Sequence, residues 1–540
     1  MRRSVLLIAL AAVACGGNPK PAPAPTPPAA AGAARSSARP ALAVPHPAPC
    51  AASCTAADRL TLELDLLFGA PAVQQAIWSI RVQSLDTGEL IYALNPDTLV
   101  MPASNMKIVT LATAAERLGW DYRFETRLET EAPVTNGVLQ GDLVVVGGGD
   151  PSINGKGSDP DVVFTEWAEA LRQAGIARIA GHIVGDDNAF DDERYGDGWS
   201  WDDFAYGYQA PVGALQIGEG LVDVVVGPGR EIGAPAEAAP RADNSGLEVV
   251  SRATTGAAGT RADVDIFRFP GSRVLEVRGT VPLGGPEVVR EAAVDNPTLF
   301  FVRTLRAALI ARGIAVAGDA IDGDDLPAPT SAGRPTTAGR SDGPATAAPP
   351  ASPAARRVLA RHLSAPLSEV ARRLMKVSQN LYAETFMRAL SLTPGPASAA
   401  ASQKVQAEIL ESWGIAPGHY ALADGSGLSR HNLVTASTIV RILQVMARTP
   451  RHAEAFEATL PIAGADGTIA SRLKATRAEN NVKAKTGTLR RVRALSGYVT
   501  TIDGERVVFA ILANHFTAPT RAIDTAVDAA LERLANFSRK

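Results

Sequence analysis

The chain has 540 residues, of which 46% are hydrophobic, and a formal net charge of −3 at pH 7. A chain of this length exceeds what one hydrophobic core serves, so we expect two or three domains. The ordinary composition and small net charge give no reason to expect nucleic acid as a partner.

The N-terminus carries the features of an export signal. Arg2 and Arg3 precede an apolar run over residues 5–13, which is too short to span a bilayer as a mature helix. Small residues then lead to Cys15, so we predict a signal peptide over residues 1–15. The segment resembles a bacterial lipoprotein signal, whose cysteine becomes lipidated; ordinary cleavage before Cys15 is the alternative. We expect a protein of the periplasm or cell envelope that contacts the membrane only through a lipid on Cys15.

Two segments rich in proline and alanine separate the ordered parts of the chain. Residues 16–57 predict a tether with no core of its own, and residues 326–355 predict a disordered linker. The tether contains Cys50 and Cys54. In an exported chain a local disulfide between them is possible, while their i, i+4 spacing also suits two free thiols on a helix. Both alternatives stay open.

Residues 58–124 predict an antiparallel sheet with a helix packed on it. A helix over "RLTLELDLLFG" precedes the hairpin "IWSIRVQSLDTGELIYALNP", which turns at residues 86–88. A second helix begins at Ser104. Because residues 108–115 contain no charge, we expect this helix to be buried on nearly every side.

Residues 125–325, which we call the inserted region, predict a mixed α/β structure with many glycine turns. Two stretches within it are similar: "ALRQAGIARIAGHIVGDD" begins at Ala170 and "ALIARGIAVAGDAIDGDD" begins at Ala308. Each predicts a helix ended by glycine and then a strand that ends in a Gly-Asp turn. We interpret Trp199 and Trp201 as core residues of this region rather than as a platform for sugars.

Residues 356–540 again predict helices and an antiparallel sheet. One continuous helix is expected over "PLSEVARRLMKVSQNLYAETFMRAL" and another over "TASTIVRILQVMAR". Three consecutive strands are expected in "AKTGTLRRVRALSGYVTTIDGERVVFAILANH". A terminal helix over "TAVDAALERLANF" completes the chain.

Ser104 and Lys107 form a candidate nucleophile–base pair. Residues three apart on a helix project from the same face. A serine hydroxyl is a poor nucleophile until a base takes its proton, and lysine serves as that base when its pKa, normally ~10.4, is lowered by burial or a second cation. A helix N-terminus disfavours a cation, which suits a neutral amine. The alternative is a helix-capping serine beside an incidental lysine; Ser471 and Lys474 have the same spacing.

Two further motifs give this pair a context. The sequence Ser378-Gln379-Asn380 lies in the predicted long helix, and Lys485-Thr486-Gly487-Thr488 opens a predicted strand. Lysine is scarce here, with nine among 53 basic residues, so a Lys-Thr-Gly is informative. The order Ser-x-x-Lys, Ser-x-Asn, Lys-Thr-Gly resembles the motif set of penicillin-binding proteins and serine β-lactamases, with Gln379 where Ser-Asp-Asn carries aspartate.

The spacing of the motifs narrows the resemblance. Ser378 lies 274 residues beyond Ser104 (378 − 104), far more than a simple β-lactamase has. In this the chain is similar to the low-molecular-mass D-alanyl-D-alanine carboxypeptidase/endopeptidase family. The resemblance implies a multi-domain α/β protein. Its β-lactamase/transpeptidase-like domain, an antiparallel sheet with helices on both faces, would comprise residues 58–124 and 356–540, interrupted by the mixed α/β inserted region.

The resemblance also implies the catalytic roles. Ser104 would attack the carbonyl between the two terminal D-alanines of a peptidoglycan stem peptide, and Lys107 would take its proton. Ser378 would pass a proton to the leaving amine, with Lys485 lowering the pKa of Lys107, and Asn380 would hold the substrate amide. The family needs no cofactor, and the scattered histidines give no metal site.

Substrate binding is expected from five residues that the resemblance suggests. Thr486 and Thr488, beside Lys485, would bind the terminal carboxylate, with Gly487 between them as a further substrate-binding residue. The backbone N–H groups of Ser104 and Thr488 would hold the oxyanion. Asp150, in "GGGDP", would reach the amine of a diaminopimelate side chain, with a plain turn aspartate as the alternative. Arg430, in "DGSGLSR", would contact a distal carboxylate, or serve as a structural arginine paired with the local acidic turn.

Three functions follow from these motifs. The first is a peptidoglycan hydrolase that β-lactam antibiotics inhibit by acylating Ser104. The second is a β-lactamase, which the long insertion and the lack of a second base disfavour. The third is a non-catalytic wall-binding scaffold, which would have no need for Ser104, Lys107 and Lys485.

Overall fold

A computed structural model describes residues 42–45, 54–156, 162–241, 244–326, 356–392 and 395–540. The predicted signal peptide, most of the tether and nearly all of the predicted linker lie outside these ranges, as do Cys15 and Cys50. Cys54 is disulfide-bonded. Among the helices of the described residues, none combines the length and apolar character that crossing a bilayer requires.

The helices of the described chain are mostly 10 to 15 residues long. In chain order they are α1 (Ala56–Phe68), α2 (Met106–Leu118), α3 (Val162–Gln173), α4 (Pro297–Ala311), α5 (Leu367–Lys376), α6 (Asn380–Ala389), α7 (Ala399–Ser412), α8 (Ala436–Arg448), α9 (Pro450–Thr459) and α10 (Thr520–Asn536).

The strands fall into several sheets. In chain order they are β1 (Ile77–Ser84), β2 (Leu90–Leu94), β3 (Glu125–Thr130), β4 (Val134–Thr135), β5 (Val138–Leu139), β6 (Leu143–Val146), β7 (Arg178–Ile179), β8 (Ile183–Asp186), β9 (Leu221–Gly227), β10 (Glu237–Pro240), β11 (Glu248–Ser251), β12 (Thr254–Gly256), β13 (Asp263–Phe267), β14 (Val274–Pro282), β15 (Val288–Ala293), β16 (Ala315–Val316), β17 (Ala320–Asp322), β18 (Arg357–Leu363), β19 (Tyr420–Ala421), β20 (Leu433–Val434), β21 (Lys483–Leu489), β22 (Val492–Thr500) and β23 (Arg506–Asn514).

A five-stranded antiparallel sheet of order β2-β1-β23-β22-β21 organises the first and last parts of the chain. Side chains of a strand alternate between its faces, and in β23 both faces are apolar. Val508 and Leu512 belong to a core with α2, α5, α6 and α8, whereas Phe509 and Ile511 belong to a core with α1 and α10. The predicted sheet with helices on both faces, its hairpin and its three consecutive strands are confirmed.

Helix α2 lies within the first of these cores. A 3₁₀ turn, Ala103–Asn105, leads into it, and every residue from Met106 to Ala115 is buried. The uncharged run in the sequence therefore predicted its surroundings correctly. Lys107 is the exception in chemistry, because it is a basic side chain with no exposed surface in the first turn of a core helix.

The two similar stretches of the inserted region are neighbours in the structure. Strand β7 follows α3 and pairs in parallel with β16, which follows α4; β8 and β17 pair in the same way. Phe164 and Trp167 of α3 pack on Phe301 of α4 in one core. Strand β18 pairs with β3 at the edge of this mixed sheet, so the sheet continues past the domain boundary that we predicted at residue 356.

A third part of the chain has an all-β core that the sequence analysis did not separate from the α/β part. Its sheets have the orders β10-β9-β15 and β11-β14-β12, with β13 also paired to β14. Their apolar faces meet at residues such as Val224, Ile266 and Leu275. Trp201 lies on its outside, 54% exposed and stacked parallel to Phe269, so the interpretation of Trp201 as a core residue is wrong.

The predicted continuous helix over residues 366–390 is two helices. Helix α5 ends at Lys376, and α6 begins at Asn380. Between them Ser378 has a positive φ of 63°, which a continuing helix excludes. The side chain of Gln379 then caps α6 by accepting a hydrogen bond from the Leu381 N–H at 2.9 Å. The helical periodicity continues across this turn, so the pattern of apolar residues does not reveal the break.

Candidate active site

Three segments far apart in the sequence meet at Lys107. Its Nζ lies 3.0 Å from Ser104 Oγ and donates to Asn380 Oδ1 at 2.6 Å and to the Ser426 carbonyl at 2.8 Å. Beside it, Lys485 Nζ donates to Ser378 Oγ at 2.8 Å. The five predicted catalytic residues therefore form two neighbouring hydrogen-bonded sets, Ser104, Lys107 and Asn380 in one and Ser378 and Lys485 in the other.

The backbone brings β21 close to the turn that carries Ser104. A Cβ atom at Gly487 would lie 2.6 Å from the Pro102 carbonyl oxygen, which is too close for two atoms that are not bonded. Glycine is therefore needed there. The Asn105 side chain then donates to the Lys485 carbonyl at 2.8 Å, which fixes the strand against the turn. Together these contacts hold Lys485 and Ser104 on the same side of the sheet edge.

Burial sets the charge of both lysines. It lowers the pKa of Lys107 to about 7, although Asp424 and Glu384 nearby act in the opposite direction. Burial also lowers the pKa of Lys485, and the charge of Lys107 lowers it further. We predicted that Lys485 depresses the pKa of Lys107; repulsion between the two amines acts on both and disfavours the state in which both are charged.

Two buried carboxylic acids support the site, and the sequence analysis missed their part in it. Glu384 accepts hydrogen bonds from the backbone N–H groups of Gly425, at 3.1 Å, and Ser426, at 2.8 Å. It therefore orients the peptide whose carbonyl accepts from Lys107. Burial, with the charge of Asp424, raises the pKa of Glu384 to about 7. Glu384 lies in no motif, so only its burial in a helix reveals it.

Asp424 holds the loop that follows. It accepts from the backbone N–H groups of Gly427 at 2.7 Å and Ser429 at 2.6 Å, and from the indole of Trp199 at 2.8 Å. The segment "DGSGLSR" was singled out in the sequence only for its resemblance to the family. Its physical role is to close a rigid loop over the end of α2.

A cavity of about 1420 Å³ opens onto the cluster. The predicted residues that line it are Ser104, Ser378, Asn380, Arg430, Thr486, Gly487 and Thr488. Its other walls carry aromatic, acidic and basic side chains: Trp199, Trp201, Asp202, Asp203, Tyr208, Arg472, Arg490, Arg491 and Arg493. The hydroxyl of Thr488 accepts a hydrogen bond from Arg493, and the hydroxyls of Thr486 and Thr468 are 2.8 Å apart.

Arg430 and Asp150 differ in their relation to this cavity. Arg430 lines it and donates to the Arg490 carbonyl at 3.2 Å. Asp150 is buried; its Oδ1 accepts from the N–H and the hydroxyl of Ser152 at 2.8 and 2.6 Å, and its Oδ2 lies 3.5 Å from His362. It is not among the residues that line the cavity, so this geometry favours the turn aspartate that we named as the alternative.

A buried amine beside a serine hydroxyl, facing a Lys-Thr-Gly strand, defines a serine hydrolase with the transpeptidase-like fold. More particularly, the chain belongs to the D-Ala-D-Ala carboxypeptidase 3 (S13) family, whose model matches residues 60–331 and 345–534.

Curated relatives agree with this assignment over most of the chain. A D-alanyl-D-alanine carboxypeptidase of Actinomadura sp. (strain R39) is 34% identical over 505 residues, which are 91% of this chain and 87% of the relative. The D-alanyl-D-alanine carboxypeptidase DacB of Haemophilus influenzae is 29% identical over 447 residues, 81% of this chain and 85% of the relative.

Solved structures agree as well. The crystal structure of penicillin binding protein 4 of Haemophilus influenzae superposes with a TM-score of 0.74 at 25% identity, covering 88% of this chain and 99% of that one. The same protein complexed with a β-lactam superposes with a TM-score of 0.67 at 24% identity, covering 86% of this chain and 97% of that one.

The low pKa of Lys107 predicts how stability depends on pH. The unfolded chain holds the Lys107 proton up to its ordinary pKa of 10.5, whereas the folded protein releases it near 7. Between these values the unfolded state binds more protons, so the free energy of unfolding rises with pH. Relative to Lys107→Met, the wild type should gain up to about 4 kcal/mol from pH 7 to 10.5, measured by chemical denaturation.

Lys474→Met is the matched control, because Lys474 is exposed and follows Ser471 at the same spacing at which Lys107 follows Ser104. It should leave the pH dependence of unfolding unchanged. A wild type and Lys107→Met with parallel stability curves would contradict a neutral amine at this position.

Proposed function

We propose that the protein hydrolyses the D-alanyl-D-alanine bond of peptidoglycan stem peptides through an acyl-enzyme on Ser104, and that it also cleaves D-alanyl-diaminopimelate cross-links. The observation that carries this proposal is the position of Lys107, buried, with a lowered pKa, 3.0 Å from the Ser104 hydroxyl. The family assignment and the named carboxypeptidase relatives support the same reaction.

The hydrogen bonds of Lys107 suit a general base. A neutral amine has two N–H donors and one lone pair, whereas the ammonium form has three donors. Asn380 Oδ1 and the Ser426 carbonyl accept from two donors, so the lone pair is left for the Ser104 hydroxyl. Proton transfer to Lys107 then releases the Ser104 oxygen to attack the scissile carbonyl carbon.

The remaining residues complete acyl transfer. The backbone N–H groups of Ser104 and Thr488 hold the oxyanion that forms on attack. As the C–N bond breaks, the proton that Lys107 took from Ser104 passes through Ser378, which Lys485 contacts, to the leaving amine, and Lys107 is neutral again. Water then attacks the ester of Ser104 and releases the shortened peptide, with Lys107 taking and returning the proton.

The cavity walls fit the charges of such a peptide. A terminal carboxylate is bound by Thr486, Gly487 and Thr488 beside Arg493, whose guanidinium already contacts the Thr488 hydroxyl, and Arg430 faces the same space. For a substrate amine, Asp203 lines the cavity, whereas Asp150 does not. We infer that Asp203, whose carboxylate accepts a hydrogen bond from the Tyr208 hydroxyl at 2.7 Å, takes the role that the resemblance assigned to Asp150.

Cavity size supports the cross-link substrate. Sites for small ligands usually enclose about 300–1,000 Å³. The cavity here, about 1420 Å³, exceeds that range and leaves room for two peptide arms. A branched peptide with an amine in its leaving group is the kind of substrate that these walls accommodate.

We place the enzyme outside the cytoplasm, where its substrate lies, with export directed by residues 1–15 and a lipid on Cys15 as the membrane anchor. Peptidoglycan is the partner, and β-lactams are inhibitors that acylate Ser104. The β-lactam complex of the Haemophilus influenzae protein supports this last point.

Labelling with a fluorescent penicillin tests the nucleophile. The wild type should form a stable adduct visible on a denaturing gel, and Ser104→Ala should form none because the acceptor oxygen is gone. Ser471→Ala, at the exposed serine that precedes Lys474 at the same spacing, should label like the wild type. An unlabelled wild type would favour the non-catalytic scaffold, and rapid turnover of nitrocefin would favour the β-lactamase.

The acylation rate should depend on the charge of Lys107. The active form is the neutral amine, so the second-order rate constant of acylation rises with pH through about 7 and then levels off. Glu384 raises the pKa of Lys107, so Glu384→Gln should shift this rise to lower pH. Stopped-flow fluorescence between pH 5 and 9 measures both, and a flat profile would exclude Lys107 as the base.

Digestion of purified muropeptides tests the substrate range. The enzyme should release terminal D-alanine from monomers and also convert cross-linked dimers to monomers. Asp203→Asn should raise KM for peptides with a free diaminopimelate amine, because a charged contact is lost. Its rate of labelling by a penicillin that lacks an amine should stay at the wild-type value; equal losses on both would contradict the contact.

A further inference from the structure

The turn that carries Ser378, Gln379 and Asn380 is strained and needs support. Ser378 has a φ of 63°, a conformation that costs a residue with a side chain on the order of 1–2 kcal/mol. Yet its two ends must stay in place, since Ser378 contacts Lys485 and Asn380 contacts Lys107. Gln379, between them, contacts neither lysine.

A carboxylate of the inserted region lies directly behind this turn. Glu219 is 2% exposed and belongs to the 3₁₀ turn Gly218–Gly220, which precedes β9. Its own φ is 60°, and those of Gly218 and Gly220 are 60° and 68°, so the segment is held in the left-handed region. A residue with a side chain, such as Glu219, keeps this strained conformation only where surrounding contacts hold it.

The hydrogen bonds of Glu219 identify the residues that it holds in place. Arg373 donates from Nε to Oε1 at 2.7 Å and from Nη2 to Oε2 at 3.0 Å, in a paired geometry. Gln379 Nε2 donates to Oε2 at 2.7 Å, while Gln379 Oε1 accepts from the Leu381 N–H at 2.9 Å. The side chain of Gln379 is thus fixed at both ends, one in the inserted region and one in α6.

This arrangement accounts for glutamine in the middle of the motif. An amide donates to the Glu219 carboxylate, whereas aspartate or glutamate at position 379 would face it with a like charge. A second contact comes from the same region, since Asn380 Nδ2 donates to the Tyr208 carbonyl at 2.7 Å. Both residues that follow Ser378 in the motif, Gln379 and Asn380, therefore contact the inserted region.

We propose that Glu219 is a positioning residue for acyl transfer: through Arg373 and Gln379 it holds Ser378 and Asn380 in contact with the two buried lysines. This inference rests on the proposed function. The inserted region then has a direct part in the rate of the reaction, beside any part in binding substrate.

The test compares Glu219→Gln with wild type in acylation by a fluorescent penicillin, which resolves binding from the acylation step. Misplacement of Ser378 and Asn380 affects proton transfer after binding, so the acylation rate constant should fall at least about tenfold. The dissociation constant of the initial complex should change less than about threefold. The pH at which the rate rises should stay the same, because Glu219 is not among the groups that shift the pKa of Lys107.

Gln379→Glu should show a similar loss, because it faces Glu219 with a second carboxylate. Combining it with Glu219→Gln restores one amide beside one carboxylate and should recover part of the rate, so that the two losses are not additive. Glu276→Gln is the matched control: Glu276 also lies in the inserted region, where it pairs with Arg278 of the same strand, β14, and it lines no cavity beside the motif. It should keep the wild-type acylation rate.

The outcomes separate the two proposals. A wild type that does not react with penicillin refutes the proposed function itself. A reactive wild type with an unchanged acylation rate in Glu219→Gln, or additive losses in the double variant, overturns the positioning role alone. Circular dichroism and thermal unfolding of each variant identify any loss that comes from misfolding, and the rescue in the double variant tests the inference independently of stability.

Discussion

The site depends on one constraint, which is that the amine of Lys107 is kept away from solvent. Lys107 lies in a helix whose neighbours are apolar, and burial brings its pKa from 10.5 to about 7. Lys107 has partners for two donors, at Asn380 and Ser426, and a serine hydroxyl for the third position. The core that contains α2 therefore affects the chemistry of the site, because packing that excludes water favours the neutral form of the Lys107 amine.

The acids around this amine set a limit on how far its pKa falls. Glu384 and Asp424 lie close enough to raise it, and both are occupied by backbone N–H groups of the loop after residue 423. The same carboxylates that shape the loop thus limit the fall in the pKa of Lys107. A site with burial alone would hold a weaker base, and one with freer acids would hold a protonated lysine.

Much of this arrangement follows from local patterns in the sequence. Periodicity predicted α2, the first hairpin and the three final strands, since their apolar positions match the faces that the structure buries. The motifs of Ser104, Ser378 and Lys485 were predicted to meet, and Lys107 contacts Asn380 while Lys485 contacts Ser378. The features that the sequence did not predict depend on contacts between distant segments: the break before Asn380, the roles of Glu384 and Glu219, and the exposure of Trp201. None of these features produces a repeat or a characteristic spacing in the sequence.

The attachment of the inserted region gives it an unusual modularity. Strand β3 begins the inserted region, and β18, which follows it in the chain, pairs with β3 so that Glu125 lies opposite Leu363; the Ser364 N–H donates to the Phe124 carbonyl at 2.9 Å. The rest of the chain thus leaves the five-stranded sheet and returns to it at one point, so the 239 residues from 125 to 363 (363 − 125 + 1) lie between without interrupting that sheet. Removing the inserted region would nevertheless affect the rest of the protein, because the turn that carries Ser378 depends on its contacts with Glu219.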